Sequence, residues 1–282
     1  MTSGSAAGVR LLVVGVDLDG TEVTRLGLGH GDDPNALLAL QGWDVLRVRD
    51  VTRDPDDRRV LTMTFVVEPC LTQPDTVAPL VNEVQSPPSD VLAGQVIAEG
   101  LPFRHQRVAA YAVVTSSRGV LVTQFSDRTG AEGQWGLPGG GLEAEEEPSR
   151  AVVREVWEES GQVVELSDLA LIQTSRWIGR APAGRLEDFH AVRVVYRAFC
   201  LQPTEPVVHD VGGTTASAAW LLPAELDLLA LTSSWRSILL EVTGLGESRG
   251  RVSDVVMASD QADGPDDHHH HTEADNRPRT EP

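Results

Sequence analysis

The sequence predicts an α/β protein with three parts: a small α+β unit over residues 1–90, an α/β domain over residues 105–243, and an acidic tail over residues 246–282. Apolar runs of strand length alternate with stretches of helical character through both structured parts. A proline-rich stretch, residues 69–90, separates them and is typical of a linker. The tail has almost no large apolar side chains, so it cannot offset the entropy cost of folding and is predicted to be disordered.

Composition and charge restrict the class of partner. The 282 residues include 42 acidic and 23 basic residues, all of the basic ones arginine, for a formal net charge of −19. Such a surface repels phosphate backbones, so nucleic acids and anionic membranes are disfavoured partners. No apolar run reaches membrane-spanning length, the run at residues 11–16 is too short for a signal peptide, and two cysteines suit a reducing compartment. We therefore expect a cytoplasmic protein.

The first unit is predicted to contain two β-hairpins and one helix. Residues 9–17 and 22–28 are apolar-rich strands, and Asp19-Gly20 between them is a favoured two-residue hairpin turn. The remaining elements are a helix in NALLALQGW, after Asp33-Pro34, and a second hairpin formed by residues 44–52 and 59–67.

The segment VVGVDLDGT allows a second interpretation. It resembles the first motif of haloacid-dehalogenase-like phosphatases, in which Asp17 would be the nucleophile and Asp19 the acid/base beside Mg²⁺. Those enzymes also use a distant Lys or Arg and a further acidic pair on a large Rossmann-like domain. This chain has no Lys, and its next domain begins about 85 residues later. We therefore interpret Asp19-Gly20 as a turn.

The second domain is predicted to alternate strands and helices. QRVAAYAVVTS and RGVLVTQFS form a hairpin, and residues 148–160 form a helix, with Pro148 suited to its first turn and Gly161 to its end. The later elements are strands near 162–174, 189–200 and 218–222, a helix opened by Pro223, and a last helix over residues 233–243.

Three carboxylates share one face of the predicted helix over residues 148–160. At 100° per residue, Glu155, Glu158 and Glu159 fall within an arc of about 100°, apart from the valines that would face a core. Like charges this close repel, so they favour a bound cation, and oxygen ligands suit Mg²⁺ or Mn²⁺. Three glutamates alone would also fit a solvated acidic face. Their surroundings favour a site, because the glycines at 139–141 permit close backbone approach and Arg154 can orient carboxylates.

These residues resemble the Nudix box, G-x5-E-x7-R-E-U-x-E-E-x-G-U, where U is a bulky aliphatic residue. Eight of the nine specified positions match, and Gln162 replaces the last aliphatic residue. Leu137-Pro138 and the later Trp220–Pro223 segment also resemble the family, so the resemblance covers about residues 105–243. The matching residues are Gly140, Glu146, Arg154, Glu155, Val156, Glu158, Glu159 and Gly161.

The resemblance implies a Nudix α/β/α sandwich with a mixed sheet, and hydrolysis of a pyrophosphate bond in a small nucleotide. It also implies that Mg²⁺ or Mn²⁺ is held by Glu158, Glu159 and the Gly140 carbonyl, with Glu155 as a further ligand or as the base that activates water. Arg154 would orient glutamates, and Glu146 would lie at the edge of the metal site or pair with Arg154. Glu143 and Glu146 are additional candidate ligands.

Two positions depart from the family pattern. Glu145 replaces the small residue, often Gly, that usually precedes the first box glutamate, which creates the acidic run 145–147. Many members carry another Glu before the Trp-containing strand, where this chain offers His209 and Asp210 instead. The identity of the general base therefore stays open.

Residues 175–190 are predicted to be a long loop between two strands and a candidate substrate-binding segment. Its arginines could bind phosphates and its aromatics could stack on a base. An exposed loop with Trp177 packed on the core fits equally well, and we expect Trp135 to have a packing role. The candidate substrate-binding residues are Arg176, Trp177, Arg180 and Phe189, with Arg185 beside them.

The leading hypothesis is therefore a metal-dependent pyrophosphohydrolase acting on a small nucleotide. The alternatives are a nucleotide-sensing module without turnover and an enzyme that removes pyrophosphate from RNA 5′ ends, which would need a basic track that this acidic chain lacks. The N-terminal unit could cover the cleft or form a homodimer, and no residue favours either. The run His268–His271 could chelate a metal, although such runs are usually inert.

Overall fold

The computed structural model describes residues 9–70, 101–180 and 184–244. Most of the predicted linker, the whole predicted tail and the run His268–His271 lie outside the described residues. Among the described helices, none is long and apolar enough to cross a membrane.

The N-terminal unit is a four-stranded sheet with one helix. Its strands lie in the order β2-β1-β4-β3, with β1 and β4 parallel and the two outer pairings antiparallel. Val13, Leu61 and Met63 lie on the apolar side of this sheet and are 0% exposed. The elements are β1 (Arg10–Val16), β2 (Glu22–Gly27), α1 (Pro34–Leu40), β3 (Trp43–Arg53) and β4 (Val60–Pro69).

The two predicted hairpin pairings and the helix of this unit are confirmed, but the two-residue turn is wrong. Residues 17–21 join β1 to β2. Asp17 Oδ1 accepts hydrogen bonds from the backbone N–H groups of Asp19 at 3.0 Å and Thr21 at 2.8 Å. Because the Asp17 side chain caps the turn in this way, it competes with the tighter hairpin. This supports the turn interpretation of the VVGVDLDGT segment.

The second domain is built on a seven-stranded mixed sheet. The main strand order is β11-β6-β5-β10-β9, with β5 and β10 parallel, while β7 pairs with β6 and β8 with β5. The strands are β5 (Phe103–Ser116), β6 (Gly119–Phe125), β7 (Trp135–Gly136), β8 (Gly139–Gly141), β9 (Glu165–Arg180), β10 (Leu186–Phe199) and β11 (Thr215–Leu221). The helices are α2 (Pro148–Ser160), a 3₁₀ helix (Pro223–Leu228) and α3 (Ser233–Thr243).

The predicted long loop over residues 175–190 is wrong, because β9 and β10 run through most of it. The two strands pair antiparallel, with Trp177 opposite Phe189. Arg176 forms a two-point ion pair with Asp188 on β10, at 2.7 and 2.6 Å. Opposite charges on adjacent strands stabilise the pairing, so these two residues belong to a sheet and not to a loop.

Two helices cover opposite faces of this sheet. On one face, α2 packs through Ala151, Val152 and Val156 into a core that continues into the N-terminal unit. On the other face, α3 packs a second core through Trp235 and Ile238. Trp135 packs against that second core, as expected. The arrangement confirms the predicted α/β/α layering.

Candidate active site

Helix α2 begins and ends where the sequence indicated. Pro148 occupies the first turn, where its missing N–H costs nothing, and Gly161 ends the helix in the left-handed conformation at φ 68°. Because one face of the helix packs on the sheet, the carboxylates project from its edge toward the glycine strand β8. We refer to residues 140–162 as the box.

Arg154 connects the carboxylates of the box. Its Nε and Nη2 donate to the two oxygens of Glu146, both at 2.9 Å. Its Nη1 donates to Glu155 Oε1 at 3.0 Å and to Glu158 Oε2 at 2.9 Å. Glu146 and, to a lesser extent, Glu155 raise the pKa of Arg154, and Arg154 lowers the pKa of Glu146. The predicted pairing of Glu146 with Arg154 is therefore present, and Glu155 and Glu158 lie on the same side of the helix.

The glycines of β8 leave room for this cluster. A β-carbon on Gly140 would lie 2.6 Å from the Glu155 carboxyl carbon and from its Oε1. Gly139 has a φ of +142°, and a β-carbon there would lie 2.3 Å from the Ala110 carbonyl oxygen. The Glu155 carboxylate therefore packs directly on the backbone of the glycine strand, and burial raises its pKa.

Glu159 points into the protein. Its side chain is 6% exposed, and its oxygens accept hydrogen bonds from the Gly139 N–H at 2.9 Å and from Thr215 Oγ1 at 2.5 Å. Burial raises the pKa of Glu159 to about 7. Glu159 thus ties α2 to β8 and β11, and its role as a metal ligand stays a prediction.

The donor chemistry of the box suits a hard divalent cation. In the part of the chain that the structure describes, no three His, Cys, Asp or Glu side chains are gathered closely enough to hold a metal by themselves. Glu155 and Glu158 nevertheless both accept a hydrogen bond from Arg154 Nη1, and the Glu155 carboxylate lies against Gly140. Carboxylate and carbonyl oxygens in this combination are the donors that Mg²⁺ and Mn²⁺ prefer, so the residues fit such an ion.

The loop that precedes α2 contains one strained residue. Glu145 has a φ of 61°, and it is the one described residue other than glycine with a positive φ. This conformation costs a non-glycine residue about 1 kcal/mol, which accounts for the glycine that often occupies this position. The neighbouring Glu143 has an exposed side chain, and its N–H donates to Glu146 Oε2 at 2.9 Å.

Gln162, the residue that departs from the box pattern, is buried and fully bonded. Its amide nitrogen donates to the Ser160 carbonyl and to Thr204 Oγ1, both at 3.1 Å. Its amide oxygen accepts from the Thr204 N–H at 3.0 Å. The amide therefore holds the loop after β10 in place of the apolar contact that an aliphatic residue would make.

His209 and Asp210 lie near the end of α2. Both donate their backbone N–H to the Glu158 carbonyl, at 2.7 and 3.0 Å. The His209 ring stacks on Trp157 with ring centroids 4.4 Å apart. These contacts give His209 a packing role, and the general base is still unassigned.

Two adjoining cavities lie on the face of the sheet opposite α2. The glycine strand reaches them directly, because β-carbons on Gly141 and Gly139 would meet Arg107 and Tyr111. One cavity has a volume of about 640 Å³ and the other about 500 Å³, and Trp177 lines both. The larger is lined by residues including Arg107, Arg128, Arg180 and Phe189, the smaller by residues including Tyr111, Gln173, Ser175, Arg193 and Trp235.

The four predicted substrate-binding residues all line these cavities, with different freedom to act. Trp177 and Phe189 form a ring pair with centroids 4.3 Å apart. Arg176 is neutralised by Asp188, which leaves it poorly suited to bind phosphate. Arg180 donates to the Gly184 carbonyl at 2.7 Å. The neighbouring Arg185 lies over the Phe103 ring, 4.0 Å from its centroid.

Sequence reasoning missed Arg107, Arg193 and Tyr111. Arg193 donates from Nη1 to Ser175 Oγ at 2.8 Å and to Gln173 Oε1 at 3.2 Å, and burial lowers its pKa. Arg107 and Tyr111 are four positions apart on β5, as are Phe189 and Arg193 on β10. Residues an even number of positions apart lie on the same face of a strand. This alternation could have placed the missed residues beside each other from the sequence.

Comparison with known proteins agrees with this geometry. The family model described as "NUDIX domain" matches residues 105–241. A MutT-like protein of Streptomyces ambofaciens is 31% identical over 125 residues, which is 44% of this chain and 69% of that protein. The chain belongs to the Nudix family. As a Nudix-type pyrophosphohydrolase, it is a member of a family whose enzymes generally use divalent metals and act on small nucleotides.

Two further matches differ in how much of each protein they cover. Mouse diphosphoinositol polyphosphate phosphohydrolase 3-alpha is 46% identical over 61 residues, and the chain spans only 30% of that relative's length. The crystal structure of a MutT Nudix hydrolase from Burkholderia pseudomallei is 29% identical, and the match covers 49% of this chain and 98% of that one with a TM-score of 0.35. The first hundred residues of the chain lie outside the family match.

Proposed function

We propose that this Nudix hydrolase cleaves a pyrophosphate bond in a small nucleoside diphosphate derivative or a nucleoside triphosphate, with Mg²⁺ or Mn²⁺. The observation that carries the proposal is the shared contact of Glu155 and Glu158 with Arg154 Nη1, directly beside Gly140. Glu155, Glu158 and the Gly140 carbonyl would hold the ion, with Glu159 as a further ligand. A bound ion would neutralise the diphosphate and lower the pKa of a water molecule.

The residues of the chain supply the positioning. Arg154 Nη1 donates to both Glu155 and Glu158 and so fixes the directions of their carboxylates. Nε and Nη2 of the same guanidinium donate to Glu146. A guanidinium suits this task because its planar fork offers several donors at fixed angles. Burial raises the pKa of Glu155, while Arg154 and, more weakly, Arg107 lower it. Glu155 is therefore a candidate both for a ligand and for the base.

The lining of the two cavities favours a nucleotide as substrate. The larger cavity is lined by Arg107, Arg128 and Arg180 against two carboxylates, Asp127 and Glu187, and Glu187 is paired with Arg185. Its lining is therefore net positive in a chain whose net charge is −19. Aromatic rings, Trp177 and Trp235 among them, line the smaller cavity, and rings of this kind stack on bases. The mouse relative is named for diphosphoinositol polyphosphates, which offer no base to stack. The aromatic lining therefore favours the nucleotide over the inositol phosphate.

A substrate panel tests the proposal. The purified chain would be assayed with nucleoside triphosphates, ADP-ribose, NADH, nucleotide sugars, dinucleoside polyphosphates, a diphosphoinositol polyphosphate and a 5′-triphosphorylated RNA. Each assay would be run with Mg²⁺, with Mn²⁺ and with a chelator. We expect metal-dependent release of phosphate, pyrophosphate or a nucleoside monophosphate from at least one small nucleotide.

Matched variants assign the activity to the box. Glu155→Gln and Glu158→Gln should each lower kcat by roughly 100-fold or more. Glu68→Gln, an exposed change on β4, should leave kcat unchanged. Binding of a nucleotide without turnover would support the sensing alternative, and hydrolysis of the RNA alone would support the RNA alternative. Full activity in both box variants would contradict the proposed site.

A further inference from the structure

The end of strand β3 in the N-terminal sheet contacts the loop of the box that joins β8 to α2. Arg53, the last residue of β3, is 6% exposed, and its Nε donates to the Glu146 carbonyl oxygen at 2.7 Å. Its backbone N–H donates to Glu147 Oε2 at 3.1 Å. A charged side chain this deeply buried is uncommon unless its donors are satisfied. Here Nε donates to the loop between β8 and α2.

Arg58, in the turn between β3 and β4, holds the same loop from a second point. Its Nη1 donates to Glu147 Oε1 at 2.6 Å, and its Nη2 donates to the Glu145 carbonyl oxygen at 2.9 Å. Arg53 Nη1 donates in turn to the Arg58 carbonyl oxygen at 2.6 Å, which fixes the two arginines relative to each other. Three consecutive residues of the loop, 145–147, therefore each bind an arginine of the N-terminal unit.

The loop itself needs outside support. Glu145 is held at a φ of 61°, which side-chain-bearing residues rarely adopt, and its carbonyl is the one that Arg58 binds. Glu147 is the N-cap residue of α2, yet its side chain makes no capping hydrogen bond to the helix. Its carboxylate is directed to Arg53 and Arg58 instead. Local interactions that would normally fix a helix start are thus replaced by contacts from another unit.

We infer that the N-terminal unit positions the catalytic machinery, with Arg53 and Arg58 as positioning residues. The connection runs from Arg53 to the Glu146 backbone, from the Glu146 carboxylate to Arg154, and from Arg154 to Glu155 and Glu158. This inference rests on the proposed function for its effect on catalysis. It assigns the role of residues 9–70, which the family match does not cover.

The test compares two adjacent arginines of the full chain. Arg58→Ala removes the contacts to Glu145 and Glu147, whereas Arg59→Ala removes only side-chain contacts to Asp57 on the same turn. The first readout is hydrogen–deuterium exchange of residues 142–148 in metal-free protein. The second is kcat and KM on the substrate found in the panel. Arg53→Ala is not the primary variant, because loss of a buried charge network could unfold the unit.

We expect Arg58→Ala to speed exchange of residues 142–148 and to lower kcat roughly tenfold, with KM changed less than about twofold. Arg58→Lys should restore part of kcat, since an ammonium can still reach one of the two acceptors. Arg59→Ala should match the wild type in both readouts.

Equal exchange in Arg58→Ala and Arg59→Ala would overturn the inference, whatever happens to kcat. Faster exchange with unchanged kcat would also overturn it, because the loop would then be held without consequence for catalysis. If the wild-type chain hydrolyses nothing in the panel, the proposed function fails, and the exchange readout alone decides whether Arg58 orders the loop.

Discussion

Glu146 and Arg154 form a two-point ion pair, with Nε and Nη2 of the arginine each 2.9 Å from a carboxylate oxygen of the glutamate. The pair joins the loop before α2 to the helix itself. It leaves Nη1 of Arg154 for the two glutamates that we propose as metal ligands. The guanidinium thereby couples the shape of the loop to the direction of both carboxylates.

Replacing Arg154 with lysine should be severe although the charge is kept. A lysine ammonium cannot make the two-point contact with Glu146 and also reach Glu155 and Glu158. We expect Arg154→Lys to lower kcat by about tenfold or more, with the circular dichroism spectrum unchanged. Steady-state kinetics on the substrate found in the panel measures this. A wild-type kcat in Arg154→Lys would show that one positive charge is enough.

Gly140→Ala should lower activity by displacing Glu155. The added β-carbon would lie 2.6 Å from the Glu155 carboxyl carbon, closer than such atoms approach, so the carboxylate must move. Gly27→Ala is the matched control, because nothing lies within 4 Å of its β-carbon position. We expect kcat to fall at least roughly tenfold in the first variant and to stay constant in the second. Equal kcat in the two variants would contradict the packing of Glu155 on the glycine strand.

Sequence reasoning located the box helix to the residue, since Pro148 and Gly161 each carry a conformational requirement at one end of it. It failed where a contact with another segment decides the outcome. Residues 175–190, predicted as a loop, are mostly two paired strands in which Arg176 forms an ion pair with Asp188 on the neighbouring strand. The two-residue turn predicted at Asp19-Gly20 failed for a local reason, because the Asp17 side chain caps a longer turn.

The sequence predicted which residues form the site better than it predicted where their side chains point. Helical spacing placed Glu159 on the same face as Glu155 and Glu158, but spacing does not set the rotamer that turns its carboxylate toward Gly139 and Thr215. The contact between Arg53 and Glu146 spans 93 residues of sequence. Long-range contacts of this kind follow from the packing of the two units and have no local signature.

Arg107 should act on substrate binding more than on turnover. It lines the larger cavity beside the glycine strand, where a phosphate group would meet its guanidinium. We expect Arg107→Ala to raise KM by roughly tenfold, with kcat reduced less. Arg197→Ala is the control, because the half-buried Arg197 pairs with Asp168 and lines neither cavity. An unchanged KM in Arg107→Ala would remove this residue from the substrate site.

His190 should make folding stability depend on pH. Its ring is 1% exposed, and Nδ1 accepts from the Gly31 N–H at 3.1 Å and from Gln106 Nε2 at 2.9 Å. Burial lowers the pKa of His190 to about 4, with His30 and Arg176 acting in the same direction and Asp32 against it. Between pH 6.5 and 4 the unfolded chain therefore takes up a proton that the folded chain does not. Stability on the order of 3 kcal/mol should be lost as the pH falls through this window.

Comparison of the wild type with His190→Gln isolates this contribution, because all other titrating groups are common to both proteins. We expect the unfolding free energy of the wild type, measured by urea denaturation from pH 7 to pH 4.5, to fall more steeply than that of the variant. Parallel pH profiles would show that His190 is protonated in the folded protein as readily as in the unfolded chain.

Binding of Mn²⁺ followed by electron paramagnetic resonance tests the central claim most directly, because it reports the metal site without requiring a known substrate. The wild-type chain should deplete the free Mn²⁺ signal, and Mg²⁺ should compete for the same site. Glu155→Gln and Glu158→Gln should each weaken this binding by about tenfold or more, whereas Glu68→Gln should not. Mn²⁺ uptake that is absent from the wild type, or equal in all four proteins, would contradict a metal site in the box.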